Sequence, residues 1–450
     1  MASGNPGESR WDQRLIVWSA ILVPYPIVSF YLCRNLGLSV GTSEDIVTLL
    51  VMLPLGGPHV AATMMRTIFS PEYRRRERGA LIASWLLFAF VAGTAIASVF
   101  LGVRILGFVP MQLLLTGFFF WASFHILQQT AFCASSYATK NGKWDSVGRF
   151  LDLAVIFGSL YPLAFFRMAM IDGSSPEVPR ADPNSLATRV VLSLGASSEF
   201  ADDYVFRIGR TVPIIPAIAR LDMIWVGALV VYLGIVAAWG ARAARQWRDG
   251  TLEWNRFQLV AFTGGLGFLV PLVPNLDSAF QGMNAWHCAQ YLRLSWRLHA
   301  GARARGAQQS RLARWFSESD SAARFYWACV AGTVAVVLIM FGLAAGISYA
   351  GAGRWPIFGA SHAELAAAGV APGVYSPGSL LIAYYLFGFG LLLMHYLQDS
   401  WFFLRRGSAE AAWGGWVPGL RHALGEEPQG TIAPGSQRIA ATPALLRSHR

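Results

Sequence analysis

Residues 80–102 read ALIASWLLFAFVAGTAIASVFLG, an uninterrupted run of apolar and small residues without a charged side chain. A helix needs about 20 such residues to cross the roughly 30 Å hydrocarbon core of a bilayer. Runs of this kind recur along the chain, and they are continuous, whereas the strands of a membrane β-barrel are shorter and alternate in polarity. The sequence therefore predicts an all-α, polytopic integral membrane protein.

The composition excludes a soluble enzyme. Of the 450 residues, 54% are hydrophobic and only 14% are charged, and the mean hydropathy is +0.43. A soluble domain carries about 25% charged residues. The net charge of +11 could indicate a nucleic-acid-binding protein, but the basic residues lie between the apolar runs and not on a separate basic domain. We therefore expect no nucleic-acid partner.

Ten apolar runs are long enough to span a membrane, and the basic residues orient them. Lys and Arg cluster in every second loop, as in residues 74–78 and 303–314. By the positive-inside rule, both termini then lie in the cytoplasm, which an even number of spans also requires. We expect about ten transmembrane helices in a bacterial inner (cytoplasmic) membrane. The runs are residues 15–32, 46–69, 80–102, 105–131, 150–171, 223–243, 257–273, 279–299, 326–349 and 380–404.

Two segments fall outside the predicted spans, and they divide the chain into a transmembrane domain and a tail. Residues 172–220 are rich in proline and mixed charge and form an insertion on the outer side, with a short interfacial helix around 186–194. Residues 407–450 are rich in Ala, Gly, Pro and Arg and lack a periodic apolar pattern, which is typical of a mostly disordered cytoplasmic tail. The transmembrane domain is therefore expected to cover residues 1–406.

Four histidines lie inside the predicted spans, where ionisable groups are expensive and mark functional sites. They are His59, His125, His287 and His395, on spans two, four, eight and ten, which all run in the same direction. Each precedes a basic residue at the cytoplasmic end of its span by about 10 to 15 residues, so at 1.5 Å per residue the four imidazoles can share one level. This pattern predicts a metal site with these four ligands.

Polar side chains follow three of the histidines by one helical turn and therefore share a helix face with them. Asp399 follows His395, Tyr291 follows His287 and Gln129 follows His125. A ligating imidazole usually donates its second N–H to such a group, and Asp399 is the best candidate for that role. We take Tyr291, Asp399 and Gln129 as candidate catalytic residues beside the metal.

The type of ligand limits which metals and which reactions are plausible for the site. Neutral imidazoles suit iron, copper, zinc and nickel, and no thiolate accompanies the four histidines. A buried histidine site in a lipid-facing protein suits a mononuclear, non-haem Fe(II) centre that activates O2 against an apolar, lipid-like or isoprenoid substrate drawn from the membrane lipids. Two alternatives remain open: a b-type haem electron-transfer protein, and a transporter with a buried polar relay.

The motifs around the histidines resemble the integral-membrane β-carotene dioxygenase-like proteins of the Brp/Blh family. The similar segments are Gly56-Gly57-Pro58-His59, Ser123-Phe124-His125, Ala285-Trp286-His287, and Met394-His395 followed by Asp399, Trp401 and Phe402. The resemblance implies that the four histidines hold a non-haem iron that adds O2 across a polyene double bond of a carotenoid and yields an aldehyde such as retinal. The chain departs from the family at Thr63, where the family has an acid, and at Tyr291, where it has a further histidine.

Overall fold

The structure is a computed structural model that describes residues 13–140, 146–172, 180–211, 215, 217–304, 321–349 and 379–404. Within these ranges helices and short connecting turns make up the chain, and the only strand-like pairing is two isolated β-bridges. The α-helices are Pro24–Asn35, Val40–Val51, Gly57–Arg66, Pro71–Arg76, Arg78–Val99, Pro110–Lys140, Ser146–Gly158, Tyr161–Ala169, Leu186–Ser193, Ser198–Thr211, Asp222–Arg248, Trp254–Leu269, Leu276–Ala304, Ala322–Tyr349, Ser379–Ala383 and Phe389–Leu404. The predicted tail, residues 407–450, lies outside the described residues.

Eight helices of the described ranges are long and apolar enough to cross a membrane. One of them, Arg78–Val99, contains most of the apolar run 80–102. Together they confirm the class of an all-α membrane protein. The eight are Gln13–Asn35, Val40–Arg66, Arg78–Val99, Pro110–Tyr137, Ser146–Ala169, Asp222–Arg248, Ala322–Ile347 and Leu380–Phe403.

The other two predicted spans, 257–273 and 279–299, are helical but are not among these eight. The first forms a helix of only 16 residues, Trp254–Leu269, followed by a 3-10 turn at Val270–Leu272. The second is part of the long helix Leu276–Ala304, which is rich in polar residues. That helix packs against the N-terminal segment and the helices that carry His59 and His125, so its polar side chains meet protein and not lipid. The count of ten and the cytoplasmic termini therefore stay predictions.

Glycines allow two close helix contacts, one on the long central helix Leu276–Ala304 and one on the helix that carries His59. A Cβ on Gly282 would lie 2.2 Å from the carbonyl oxygen of Val23, so the central helix touches the backbone of the first span. A Cβ on Gly57 would lie 2.0 Å from Cγ2 of Thr333, in the helix Ala322–Tyr349. Small residues permit such approaches between membrane helices, and the second contact lies two residues from His59.

A buried arginine connects the transmembrane bundle to the predicted insertion at 172–220. The guanidinium of Arg167 donates hydrogen bonds to the carbonyl oxygens of Tyr204 (2.7 and 3.0 Å), Pro271 (3.2 Å), Val273 (2.9 Å) and Pro274 (2.9 Å). The insertion contains the helix Leu186–Ser193, close to the short helix predicted at 186–194, and the helix Ser198–Thr211. Arg167 thus joins the second of these helices to the turn that precedes the central helix.

A buried ion pair joins three other helices of the bundle. The carboxylate of Asp152 accepts a hydrogen bond from the indole N–H of Trp239 (2.9 Å) and lies 3.3 Å from Nε of Arg256. Asp152 is 4% exposed and Arg256 is 8% exposed. Because both charges are removed from solvent, each depends on the other for compensation.

Candidate metal centre

The four histidines predicted to act together meet inside the bundle. His59 lies on Gly57–Arg66, His125 on Pro110–Lys140, His287 on Leu276–Ala304 and His395 on Phe389–Leu404. All four are buried, with exposures of 0 to 3%. One ring nitrogen from each can be chosen so that the four atoms lie within 4.8 Å of one another. The predicted convergence of the four imidazoles is therefore confirmed.

The imidazole rings form a closed circle in which each ring contacts two others. The ring of His59 lies 4.8 Å from His287 and 4.2 Å from His395, and the ring of His125 lies 4.9 Å from His287 and 5.3 Å from His395, centroid to centroid. The Nε2 atoms of His59 and His395 are 2.5 Å apart. Four donors thus face one small volume.

Most of the ring nitrogens in this circle have no hydrogen-bond partner among the described residues. Both nitrogens of His125, both nitrogens of His287 and Nδ1 of His59 are buried and unpaired. Buried polar atoms are normally hydrogen-bonded, because leaving one unpaired costs about 1–3 kcal/mol. A metal ion would satisfy such atoms, because imidazole nitrogens are common metal ligands and the four donors lie within 4.8 Å of one another. The residues present therefore fit a metal.

The local sequence explains how His59 reaches the circle. Pro58 has no N–H, so the carbonyl of Pro54 cannot receive the usual helical hydrogen bond from four residues later. Instead, Gly57 N–H bonds to the carbonyl of Met52, which closes a π-helical turn over Met52–Gly56, and the hydroxyl of Tyr326 donates to Pro54 O (2.9 Å). A second π-helical turn, Tyr384–Gly388, precedes the helix of His395. Such turns often occur at functional sites.

Thr63 and Asp399 lie beside Nδ1 of His395, and Tyr291 contacts both of them. Nδ1 of His395 lies 2.8 Å from the hydroxyl of Thr63 and 3.5 Å from Oδ2 of Asp399. The hydroxyl of Tyr291 donates to Oδ1 of Asp399 (2.6 Å) and lies 2.6 Å from the Thr63 hydroxyl. The ring of Tyr291 also contacts the ring of His59, at 4.2 Å. With Nδ1 engaged in this way, Nε2 of His395 faces the circle.

Arg66 belongs to the same network, although the sequence analysis did not single it out. Its Nη2 donates to Oδ1 of Asp399 (2.7 Å) and to the hydroxyl of Tyr291 (2.8 Å), and its guanidinium lies 4.2 Å from the ring centroid of Phe402. Its side chain is 18% exposed, whereas that of Asp399 is fully buried. The signal was present in the sequence: Arg66 follows His59 by seven residues and so shares its helix face.

Gln129 occupies a different place from the other two candidate catalytic residues. Its amide nitrogen donates to the carbonyl oxygen of His287 (2.9 Å) and to Oε1 of Gln290 (3.2 Å). Gln290 in turn donates to the carbonyl of Ile16 (2.8 Å), in the N-terminal π-helical turn. Gln129 therefore holds the backbone beside His287, and it joins the central helix to the His125 helix.

Aromatic rings close the remaining side of His125. The ring of Tyr396 stacks on His125 with centroids 4.2 Å apart and an interplanar angle of 22°. The ring of Tyr396 also stacks with Phe118 (centroids 5.7 Å apart) and contacts Trp121 edge-on (6.0 Å). Among the described residues, Phe118 and Trp121 thus reach the site only through Tyr396.

Comparisons with protein-family models, with curated proteins and with solved structures match nothing in this chain. Function is therefore inferred from the geometry of the described residues. The motif resemblance remains an expectation.

Proposed function

We propose that this protein is a membrane-embedded, non-haem iron oxygenase that acts on an apolar substrate. The observation that carries the proposal is the circle of four buried imidazoles, of which His125 and His287 have no hydrogen-bond partner at either nitrogen among the described residues. A packed structural histidine would bond at least one nitrogen to a neighbour. Four converging donors on four different helix segments are better explained as ligands.

The spacing of the four donors supports a mononuclear centre over a haem. A haem takes two axial ligands on opposite faces of a flat ring, so the plane between them must be open to the porphyrin. Here all four donor atoms lie within 4.8 Å of one another, so two of them used as haem ligands would leave the other two in the small space that the porphyrin would need. Neutral imidazoles are compatible with iron, copper, zinc and nickel, and the resemblance favours iron.

The chain's own residues would orient the ligands and exclude water. Thr63, 2.8 Å from Nδ1 of His395, would hold that ring in place, and the carboxylate of Asp399, 3.5 Å from the same nitrogen, would support its orientation as carboxylates do for metal-bound histidines. Tyr291 reaches both groups and the ring of His59, so it is placed to hold a proton close to the centre. His59, His125, His287 and His395 would hold the Fe(II), which would supply the activation of O2.

The substrate class follows from the surroundings of the site. The circle lies among membrane-spanning helices, and Tyr396, Phe118 and Trp121 cover one side of it. A substrate from the bilayer fits this setting better than a charged metabolite, which would need a polar path. A carotenoid or another isoprenoid is the substrate that the motif resemblance favours, and a bacterial inner membrane is the expected location.

The proposal is tested by product analysis in cells that accumulate β-carotene. Expression of the protein should lower the carotenoid and yield an aldehyde that incorporates oxygen from isotope-labelled O2. A His125→Ala variant expressed to the same level should leave the carotenoid unchanged. Equal products from the parent and the variant would refute a role of the histidines in the reaction, and unchanged carotenoid with the parent would refute carotenoid cleavage.

A further inference from the structure

An exposed apolar face lies on the predicted insertion, outside the eight helices that are long and apolar enough to cross a membrane. The helix Leu186–Ser193 buries Ala187 and Thr188 against the bundle. On its other side, the side chain of Leu186 is 38% exposed, and that of Leu194, which follows the helix, is 83% exposed. A single exposed leucine needs no explanation, but a contiguous apolar group indicates a binding surface.

Residues that lead into the helix Asp222–Arg248 extend this face. The carboxylate of Asp222 accepts hydrogen bonds from the backbone N–H groups of Leu186 (2.7 Å) and Ala187 (3.2 Å), so the short helix begins against the start of the long one. Three apolar side chains around Asp222 are exposed by 49 to 73%. We call the exposed apolar side chains of both segments the apolar patch; they are Leu186, Leu194, Ile218, Leu221 and Met223.

Hydrogen bonds hold the apolar patch at the end of a membrane span. Asp222 is the first residue of the helix Asp222–Arg248, which is one of the eight helices that can cross a membrane. Its carboxylate also accepts a hydrogen bond from the indole N–H of Trp225 (2.9 Å). A charged side chain and a tryptophan at the end of a span are typical of the boundary between membrane and water. The start of the short helix therefore lies at that boundary.

A second connection ties the chain before the short helix to the end of another span. The backbone N–H of Asp182 donates to the carbonyl oxygen of Met170 (2.7 Å). Met170 directly follows the helix Tyr161–Ala169, which ends the span Ser146–Ala169. The chain thus returns to the end of this span just before the helix Leu186–Ser193 begins. Two spans therefore hold the short helix close to the membrane boundary.

The exposed side of the short helix is divided into an apolar and a polar half. At about 100° per residue, Leu186, Val190 and Leu194 fall within a sector of about 80°. Arg189 and Ser193 are exposed on one flank of this sector. A helix with this division lies in the plane of the interface, with its apolar half among the acyl chains and its charged half toward the headgroups. The long side chain of Arg189 can reach the headgroup level from there.

We propose that the apolar patch inserts into the lipid leaflet at the end of the helix Asp222–Arg248, so that the helix Leu186–Ser193 lies along the membrane surface. The leaflet is the occupant because the patch continues the exposed apolar side of that spanning helix, where Val230 and Leu233 are 65% and 52% exposed. The insertion is then a part of the membrane-embedded body of the protein. This inference is independent of the proposed oxygenase function, because it involves neither the histidines nor a metal.

Spin labels on cysteine variants of the full-length protein in phosphatidylcholine nanodiscs test the proposal. The four native cysteines are buried, so the parent treated with the same reagent provides the blank. Leu194→Cys and, independently, Ile218→Cys place a label on the patch. One helix supplies both references: Leu233→Cys is exposed near the middle of the span, and Asp249→Cys is exposed just beyond its end. The collision rates of each label with O2 and with a polar nickel chelate are measured.

The ratio of the two collision rates reports whether a label is in lipid or in water. We expect the ratio of O2 to nickel collisions for the labels at positions 194 and 218 to be several-fold higher than for the label at 249, and to approach that at 233. A ratio equal to that at 249 for either patch label would overturn the proposal. Spin–spin broadening that disappears when labelled chains are diluted with unlabelled ones would show that a second copy covers the patch, and would overturn it equally.

Discussion

Replacing Asp399 by asparagine tests whether its carboxylate orients His395 for metal binding or only balances the charge of Arg66. Oδ1 of Asp399 accepts hydrogen bonds from Arg66 (2.7 Å) and Tyr291 (2.6 Å), and Oδ2 lies 3.5 Å from Nδ1 of His395. Asp399→Asn leaves the guanidinium of Arg66 without its counter-charge. Breaking a buried pair in this way costs about 3–5 kcal/mol. Because the Arg66 side chain is 18% exposed, we expect a loss in the free energy of unfolding near the lower end, about 3 kcal/mol.

The effect on metal binding has a different origin and is therefore separable. Loss of a group that orients a ligating imidazole weakens metal affinity about 10- to 100-fold, or about 1.4–2.7 kcal/mol. The double variant Arg66→Gln/Asp399→Asn removes both charges, so it should regain most of the lost stability. It should not regain metal affinity, because the carboxylate beside Nδ1 of His395 is still absent.

The assay is a double-mutant cycle on purified protein in detergent, with Arg66→Gln as the fourth member. Thermal unfolding of the metal-free proteins gives the stability arm, and competition with a chelator for Fe(II) gives the affinity arm. If the double variant regains metal affinity together with stability, Asp399 acts only through Arg66 and the reasoning is wrong. Full metal affinity in Asp399→Asn alone would refute it equally.

Three further substitutions test the packing of the helix bundle by thermal unfolding. Gly282→Ala places a methyl group 2.2 Å from the carbonyl oxygen of Val23 and should destabilise the protein by about 1–3 kcal/mol. The control Gly342→Ala has nothing within 4 Å and should not lower the unfolding temperature. Equal unfolding temperatures for the two variants would contradict the close contact at Gly282. Asp152→Asn breaks a buried ion pair and should lower the unfolding temperature, whereas Asp249→Asn, at an exposed position, should leave it unchanged. Arg167→Lys cannot make all five hydrogen bonds to carbonyls and should destabilise the protein; an unchanged transition would show that these bonds contribute little.

The parts of the fold that face lipid could be predicted from the sequence. The runs at 80–102 and 326–349 correspond to the helices Arg78–Val99 and Ala322–Tyr349. In such helices hydrophobicity alone identifies the segment, because lipid selects apolar side chains on most of the surface. Because the four spans that carry the histidines are predicted to run in the same direction, their imidazoles were expected at one depth in the membrane.

The centre of the bundle was harder to predict, because protein and not lipid surrounds it. The central helix Leu276–Ala304 is polar, and hydropathy describes it poorly as a span. The π-helical turn before Gly57 depends on the missing N–H of Pro58 and on a distant tyrosine, Tyr326. Apolar periodicity carries no signal for such a turn.

The candidate site divides in the same way. The convergence of the four histidines and the placement of Asp399 beside His395 could be predicted from spacing on single helices. Arg66 was missed because a basic residue near the end of a span is usually read as a topology signal. Its contact with Asp399 joins residues 333 positions apart in the chain, which helix periodicity cannot indicate.

The metal content of the purified protein tests the central claim most directly. After anaerobic reconstitution with Fe(II) and removal of excess metal, elemental analysis should find one iron per chain in the parent. Single alanine variants of the four histidines of the circle should each lose most of it. His422→Ala, which changes a histidine of the predicted tail, should retain it. A parent without bound metal, or full occupancy in all four variants, would contradict the account.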